Sequence, residues 1–235
     1  MQFDTPLLKG QFIKRYKRFF VDVKLEKSGE IITAHCPNTG SMKGLLNEGC
    51  DAYVLKNDDP KRKLKYTLEL IEYPTSGALV GVNTQRPNHI VAEGIESGTI
   101  AGLSNYSELK AEQKYGVNSR IDILLSGSDL PDCYVEVKNT TLAEGDVAQF
   151  PDSVTTRGQK HLDELGDMVR QGHRAVMVYL VNRSDCKTFS PADDIDPVYG
   201  EKLREFLQNG GEALAYACQN TPESIQVTDK LKIKL

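Results

Sequence analysis

The sequence predicts a mixed α and β protein of two domains, a small five-stranded β-barrel at residues 1–86 and an α/β domain at residues 87–235. Three observations carry this reading. Five short alternating or apolar runs, separated by turn residues, fill the first third; segments of strand and helix period alternate beyond residue 86. The charge is also divided, with 14 Lys and Arg against 10 Asp and Glu in residues 1–90, but 15 against 23 in residues 91–235. A basic module joined to an acidic one suits a protein that attracts phosphates with the first and collects metal ions with the second. Random scatter of surface charge would give the same count.

Composition bounds the class. Of the 235 residues, 39% are hydrophobic and 26% charged, the balance of a globular protein and not of a disordered or fibrous one. No segment approaches the roughly 20 consecutive apolar residues that span a bilayer, and the opening MQFDTPLLKGQFIKRYKRFF lacks the apolar run of a signal peptide. A cytoplasmic protein with no membrane partner is expected. The five cysteines are widely spaced and form no C-x-x-C pair, which argues against both a disulfide framework and a structural zinc site.

Residues 19–26 and 30–36 are strand-like runs joined by Lys27-Ser28-Gly29, a hairpin signal. Residues 51–56, 64–73 and 79–83 add three strands, separated by Asn57-Asp58-Asp59-Pro60 and Pro74-Thr75-Ser76-Gly77. Five short strands in this length fit an OB-like barrel, an architecture that binds single strands or oligosaccharides in one groove. Residues 87–97 then read as a helix, with Ile90, Val91 and Ile95 at helical spacing and Gly98 placed to end it. Residues 109–115 and 119–125 flank Gly116-Val117-Asn118 as a hairpin, and residues 133–139 supply a third strand. A helix over 155–171, with Leu162, Leu165, Met168 and Val169 at spacings of three and four, leads into the buried strand 175–181. Residues 197–209 read as a last helix, and 213–219 and 225–235 as closing strands.

A strand bearing Asp122, a strand bearing Glu136-Val137-Lys138, a helix and a buried strand follow the element order of the PD-(D/E)XK (restriction-endonuclease-like) core. The spacing has a physical reason: side chains alternate along a strand, so Glu136 and Lys138 share a face while Val135 and Val137 point to the other. Asp122 and Glu136 would then hold Mg²⁺ or Mn²⁺ through hard oxygen ligands, with Glu112 on the neighbouring strand as a third acidic candidate. Lys138 would orient a water or stabilise charge developing on the phosphate. The tripeptide [DE]-x-K is weak by itself, since it also begins at Asp22, Asp59, Glu108, Glu112 and Asp185. Only Glu136 lies in an apolar strand, where a carboxylate and a lysine are costly unless paired or ligated. A buried ion pair without catalysis is the plain alternative.

Candidate phosphate-binding cations fall in three places. Lys14, Arg15, Lys17 and Arg18 interleave with Tyr16, Phe19 and Phe20, a combination suited to backbone phosphates and stacked bases. Lys61, Arg62 and Lys63, with Lys65, form a second cluster on an expected loop. Arg157, Lys160 and His161 open the helix at 155–171, where unpaired backbone N–H groups favour an anion. Each cluster also reads as an ordinary solvated face. The stretch His35-Cys36-Pro37-Asn38-Thr39-Gly40-Ser41-Met42 serves either as a phosphate-binding turn or as a tight structural one.

These segments together resemble the bacterial sugar fermentation stimulation protein A family over essentially the whole chain. The resemblance is carried by residues 35–42, by Tyr115-Gly116 with Ser119-Arg120-Ile121-Asp122, by Val135-Glu136-Val137-Lys138-Asn139, and by Phe150-Pro151-Asp152 through Thr156-Arg157-Gly158-Gln159-Lys160-His161-Leu162. It implies an OB-like N-terminal barrel, a PD-(D/E)XK-like C-terminal domain, DNA binding without clear sequence preference, and a regulatory link to sugar metabolism, maltose in particular. Two functions are therefore expected: a metal-dependent phosphodiesterase acting on DNA or RNA, single- or double-stranded, or a non-catalytic DNA-binding regulator that keeps the nuclease fold. Sugar binding by the barrel ranks last, because the chain has no tryptophan and only 7% aromatic residues.

Overall fold

A computed structural model describes residues 1–116, 119–127 and 129–235. The chain forms a closed five-stranded OB-like barrel followed by an α/β domain. Val117 and Asn118 of the expected hairpin turn lie outside the described residues.

The barrel is built from β1 (Leu8–Tyr16), β2 (Phe20–Leu25), β3 (Ile31–His35), β4 (Asp51–Lys56) and β5 (Tyr66–Glu72). Strand β1 pairs with β2 and β4, β2 with β3, and β4 with β5. The ring closes where β3 meets β5 in parallel, Ala34 against Tyr66 and His35 against Thr67. Its interior is an apolar core around Val21, Val23, Val54 and Leu68. The sequence reading finds five strands but not these five. It omits β1 and counts the run at 79–83, of which Leu79–Gly81 forms β6, pairing with the end of β5 outside the closed ring. Strand β1 is hard to read because its inward positions include Gly10, and its second half is crowded with cations. Glycine is required there, since a Cβ would stand 2.6 Å from the carbonyl oxygen of Lys24 on β2.

The second domain opens with α1 (Pro87–Glu96) and a single 3₁₀ turn at Ala101–Leu103. Its main sheet contains β7 (Glu108–Tyr115), β8 (Ser119–Ser126), β9 (Cys133–Thr140), β12 (Arg174–Val181), β14 (Glu212–Asn220) and β15 (Ile225–Lys230), in spatial order β15-β14-β12-β9-β8-β7. The first three strands are antiparallel, while β9, β12 and β14 run parallel. Strand β12 is buried on both faces, which explains its unbroken apolar sequence. Helix α1 packs against one face of the sheet; α2 (Thr156–Arg170) and α3 (Pro197–Gln208) pack against the other. Each of these two helices has a side-chain cap, Thr155 accepting from the amide of Gly158 and Asp196 from that of Tyr199. A small second sheet of β10 (Leu142–Glu144), β11 (Val147–Phe150), β13 (Thr188–Pro191) and β16 (Lys232–Ile233) flanks this side. Its strands have two to four residues, too short to show a period in the sequence. Among the described residues no helix is long and apolar enough to cross a membrane.

Two polar contacts fix the barrel on the second domain. In the first, a ladder of asparagines from β9, the end of β12 and β14 grips β6. Asn139 donates to the Gly81 carbonyl at 3.1 Å, the Gly81 amide donates to the Asn182 carbonyl at 2.8 Å, and Asn220 donates to the Leu79 carbonyl at 2.9 Å. Asn182 in turn donates to Asn139 at 3.0 Å. In the second, Arg183 is almost fully buried, with its guanidinium 4.3 Å from the ring centre of Tyr73, donating to the Thr141 carbonyl and to both oxygens of Asp185. Asp185 also accepts from Ser76, in the turn between β5 and β6.

Both contacts make predictions. A Cβ on Gly81 would lie 2.2 Å from Asn182 Oδ1, so Gly81→Ala is expected to cost about 1–3 kcal/mol through overpacking, read as a lower urea midpoint. Burial pushes the Asp185 carboxyl up, but its bonds from Arg183 and Ser76 outweigh this and hold it below the usual carboxylate value. A carboxylate with a depressed folded pKa contributes stability above its unfolded value and loses it as pH falls through the folded one. The stability difference between wild type and Asp185→Asn should be largest above about pH 4 and shrink below it, measured by urea unfolding across a pH series.

Candidate functional site

The central strands part at one point. Strands β8 and β9 pair through Leu125–Cys133, Leu124–Tyr134 and Ile123–Val135, and the ladder stops where Asp122 would face Glu136. The Asp122 carboxylate takes over the freed backbone donor: its Oδ2 accepts from the Val137 amide at 2.8 Å, while Oδ1 accepts from Asn88 of α1 at 2.8 Å. On the other side of β8, Glu112 stands opposite Asp122 in the register with β7, its backbone in the left-handed region at φ 56°. That conformation is uncommon for a residue with a side chain and collects at functional positions.

Glu136 and Lys138 project from β9 toward α2, as the strand period requires, and bond to each other at 2.7 Å. Glu136 is buried, and its Oε1 also takes a hydrogen bond from His161 Nδ1. The other ring nitrogen of His161, Nε2, accepts from Arg157 Nε at 3.3 Å. Both nitrogens are thus engaged and the ring is buried, so His161 serves to hold Glu136 and is not exposed as a phosphate clamp. Burial pushes the Asp122 carboxyl above its ordinary value, the charge of Glu136 adds to this, and the bonds from Val137 and Asn88 only partly offset it. Burial acts the same way on Glu136, but the bond from His161 and the charge of Lys138 more than cancel it and leave that carboxyl low. The two neighbouring carboxyls are thus driven in opposite directions.

Glu112, Asp122, Glu136, Lys138, Arg157 and His161 all line one cleft of about 430 Å³. The barrel supplies its other lip. Arg15 donates to the carbonyls of Asn38 and Gly40, at 2.7 and 2.9 Å, and the Asp152 carboxylate accepts from Ser41 and from the Met42 amide, each at 3.0 Å. The stretch at 35–42 is therefore a structural clasp that brings Asn38 to the cleft. Arg15 is spent on this loop, and Arg62 on Thr67 at 2.8 Å, whereas Lys14, Lys17, Arg18, Lys61 and Lys63 remain exposed on the barrel. Register places these two clusters at one barrel end: Tyr16 pairs with Phe20, Phe20 with His35, and His35 with Thr67 just after the loop bearing Lys61. Lys160 is exposed at the edge of the site, bonded to Ser119 and Glu164. Asn88 has no signal in the sequence, because its partner Asp122 is remote in the chain; Asn38 and Asp152 lie in stretches the sequence marks, but their place at the cleft does not show there.

The profile of the sugar fermentation stimulation protein RE domain matches residues 85–224, and that of the SfsA N-terminal OB domain matches residues 13–82. The chain belongs to the sugar fermentation stimulation protein family. It is 52% identical over 235 residues to a homologue from Geotalea uraniireducens and 54% identical over 238 residues to one from Nitrosococcus oceani, each alignment covering all of both chains. Among solved structures, SfsA of Pyrococcus furiosus, described as a complex with Ca²⁺, is similar with a TM-score of 0.88 at 28% identity, covering 100% of this chain and 98% of that one. The family assignment thus spans both domains, with the site in the part matched by the RE domain.

His161→Ala would leave the buried Glu136 carboxylate short of a donor and is expected to cost about 1–3 kcal/mol of stability. Arg120→Ala, at an exposed position whose acid partner is 3.9 Å away, should stay within about 0.5 kcal/mol. Urea unfolding of the two variants checks the contrast.

Proposed function

We propose that the protein is a nucleic-acid phosphodiesterase whose cleft works with a divalent cation, Mg²⁺ or Mn²⁺, and whose barrel holds the nucleic acid. The observation that carries this reading is the convergence of Asp122, Glu136 and Lys138 where β8 and β9 separate. The oxygen donors suit a hard cation, and Glu136 Oε2 is buried without a hydrogen-bond partner among the described residues. Among the described residues no three acidic, histidine or cysteine side chains form a ready-made cage. Mg²⁺ needs none, since it is usually bound through one or two carboxylates with water and substrate phosphate completing its shell. Asp122 and Glu136 would hold the cation, with Glu112 at the rim, and the Ca²⁺ of the Pyrococcus furiosus relative supports the same ligand class. Bound there, the cation would polarise the phosphate and ease deprotonation of a water.

The chain's own groups have separable tasks. Asn88 and the Val137 amide fix the Asp122 carboxylate, and His161 fixes that of Glu136. Lys138 Nζ, 2.7 Å from Glu136 and 3.1 Å from His161 Nδ1, keeps a proton for an attacking water or a phosphate oxygen. Arg157 uses Nε on His161 and lines the cleft, where its other N–H groups would meet a phosphate. The exposed cations of the barrel end, with Phe19 exposed beside them, provide phosphate contacts and a stacking surface for DNA or RNA.

Labelled single- and double-stranded DNA and RNA incubated with the protein and Mn²⁺ should be cleaved. Lys138→Ala and Asp122→Asn should each lower kcat by about 10²-fold or more, and chelation should abolish cleavage. Rates equal to wild type in both variants would sink the reading. Binding that weakens with salt but gives no cleavage on any substrate would instead favour a DNA-binding regulator. Removing Lys14, Lys17 and Arg18 together should weaken binding and reduce the salt slope by about 1 for each of these cations that meets a phosphate, read by fluorescence anisotropy.

A further inference from the structure

Beyond the wall formed by Glu112, Asp122, Arg157 and His161, a second chamber of about 420 Å³ adjoins the cleft, and Ser119, Arg120 and Lys160 complete its lining. Its outer side is cationic. Arg120 is exposed, and among the described residues its acid partner is Glu112, at 3.9 Å, too far for a hydrogen bond. Lys160 Nζ is held at the chamber by Ser119 Oγ and Glu164 Oε1, each 3.2 Å away. Arg157 reaches the same space from the first turn of α2, which contains no acidic residue and whose backbone dipole adds to the positive field. The acids facing these cations are Glu112 and Asp122 on the shared wall and Glu164 beneath Lys160. If Glu112 and Asp122 serve the cation in the cleft, Arg120 and Lys160 remain for the chamber, with Arg157 on the wall between the two spaces.

We propose that this chamber is a second phosphate subsite, taking the phosphodiester adjacent to the one in the cleft. A ligand that fills both spaces has negative charges repeated along one chain. The substrate class is accordingly a polynucleotide with at least two consecutive phosphodiesters, and an isolated phosphate ester leaves half of the concavity empty. The position of the first phosphate rests on the phosphodiesterase reading; the cationic chamber itself does not.

Binding without turnover separates the two. A fluorescein-labelled oligothymidylate is titrated by anisotropy in Ca²⁺, over a range of salt, with wild type, Arg120→Ala, Lys160→Gln and the double variant. The double variant should bind about tenfold more weakly, and the salt slope should fall by about 1 for each charge removed. Arg120→Lys should retain most of the affinity. Unchanged affinity in the double variant overturns the subsite, as does weaker binding with an unchanged salt slope, since that marks a structural loss. Absence of oligonucleotide binding by wild type overturns it as well. Binding that depends on Arg120 and Lys160 with no cleavage in Mn²⁺ refutes the phosphodiesterase and leaves the phosphate subsite standing. Cleavage by wild type, with variants binding as tightly as it does, refutes the subsite alone.

Discussion

The bond from the Val137 amide to Asp122 Oδ2 is the constraint on which the site depends. In a continuous antiparallel pair that amide would face a backbone carbonyl of β8. A carboxylate in place of the carbonyl satisfies the donor and lets β8 and β9 part without leaving an unpaired buried N–H. The gap collects charge because the strand period of β9 turns Glu136 and Lys138 into it. Helix α2 closes it from above with Arg157 and His161. The left-handed backbone of Glu112 belongs to the same distortion, one strand farther out.

The second requirement is that two domains share one cleft. Their interface does so with hydrogen bonds that have direction as well as strength: the asparagine ladder runs from β9 to β14 and ends on the backbone of β6. Asn139 is three residues beyond Glu136, so the strand that carries the site also positions the barrel. Buried amides of this kind stabilise little in net terms but are costly to leave unpaired, which favours one docking arrangement over its neighbours. The clasp of Ser41 and Met42 on Asp152 repeats the device at the mouth of the cleft.

Much of this was legible in the sequence, for identifiable reasons. Long elements with strong period, such as β12 and α2, stand out because burial on a known side fixes their residue types. Glu136 and Lys138 could be separated from five other matching tripeptides because only their strand is apolar. What the sequence hid was mostly close approach and pairing across domains. Gly10 erases the alternation of β1, the strands of the small sheet have two to four residues each, and Asn139, Asn182 and Asn220 look like loop-forming residues until their partners are seen. His161 shows the limit for the site: its place at the head of a helix among cations suggests an exposed anion contact, yet the helix turns it inward onto Glu136.

The polar seam between the domains also bears on modularity. An OB-like barrel and an α/β domain look like interchangeable parts, yet a Cβ on Gly81 would meet Asn182, which is itself held by donating to Asn139 and accepting from Asn220. A barrel transplanted from a distant relative would bring its own β6 and lose this fit unless the asparagines travelled with it. The seam makes the two halves one physical unit: a change at the exposed barrel end disturbs none of these bonds, whereas a change at β6 disturbs all of them.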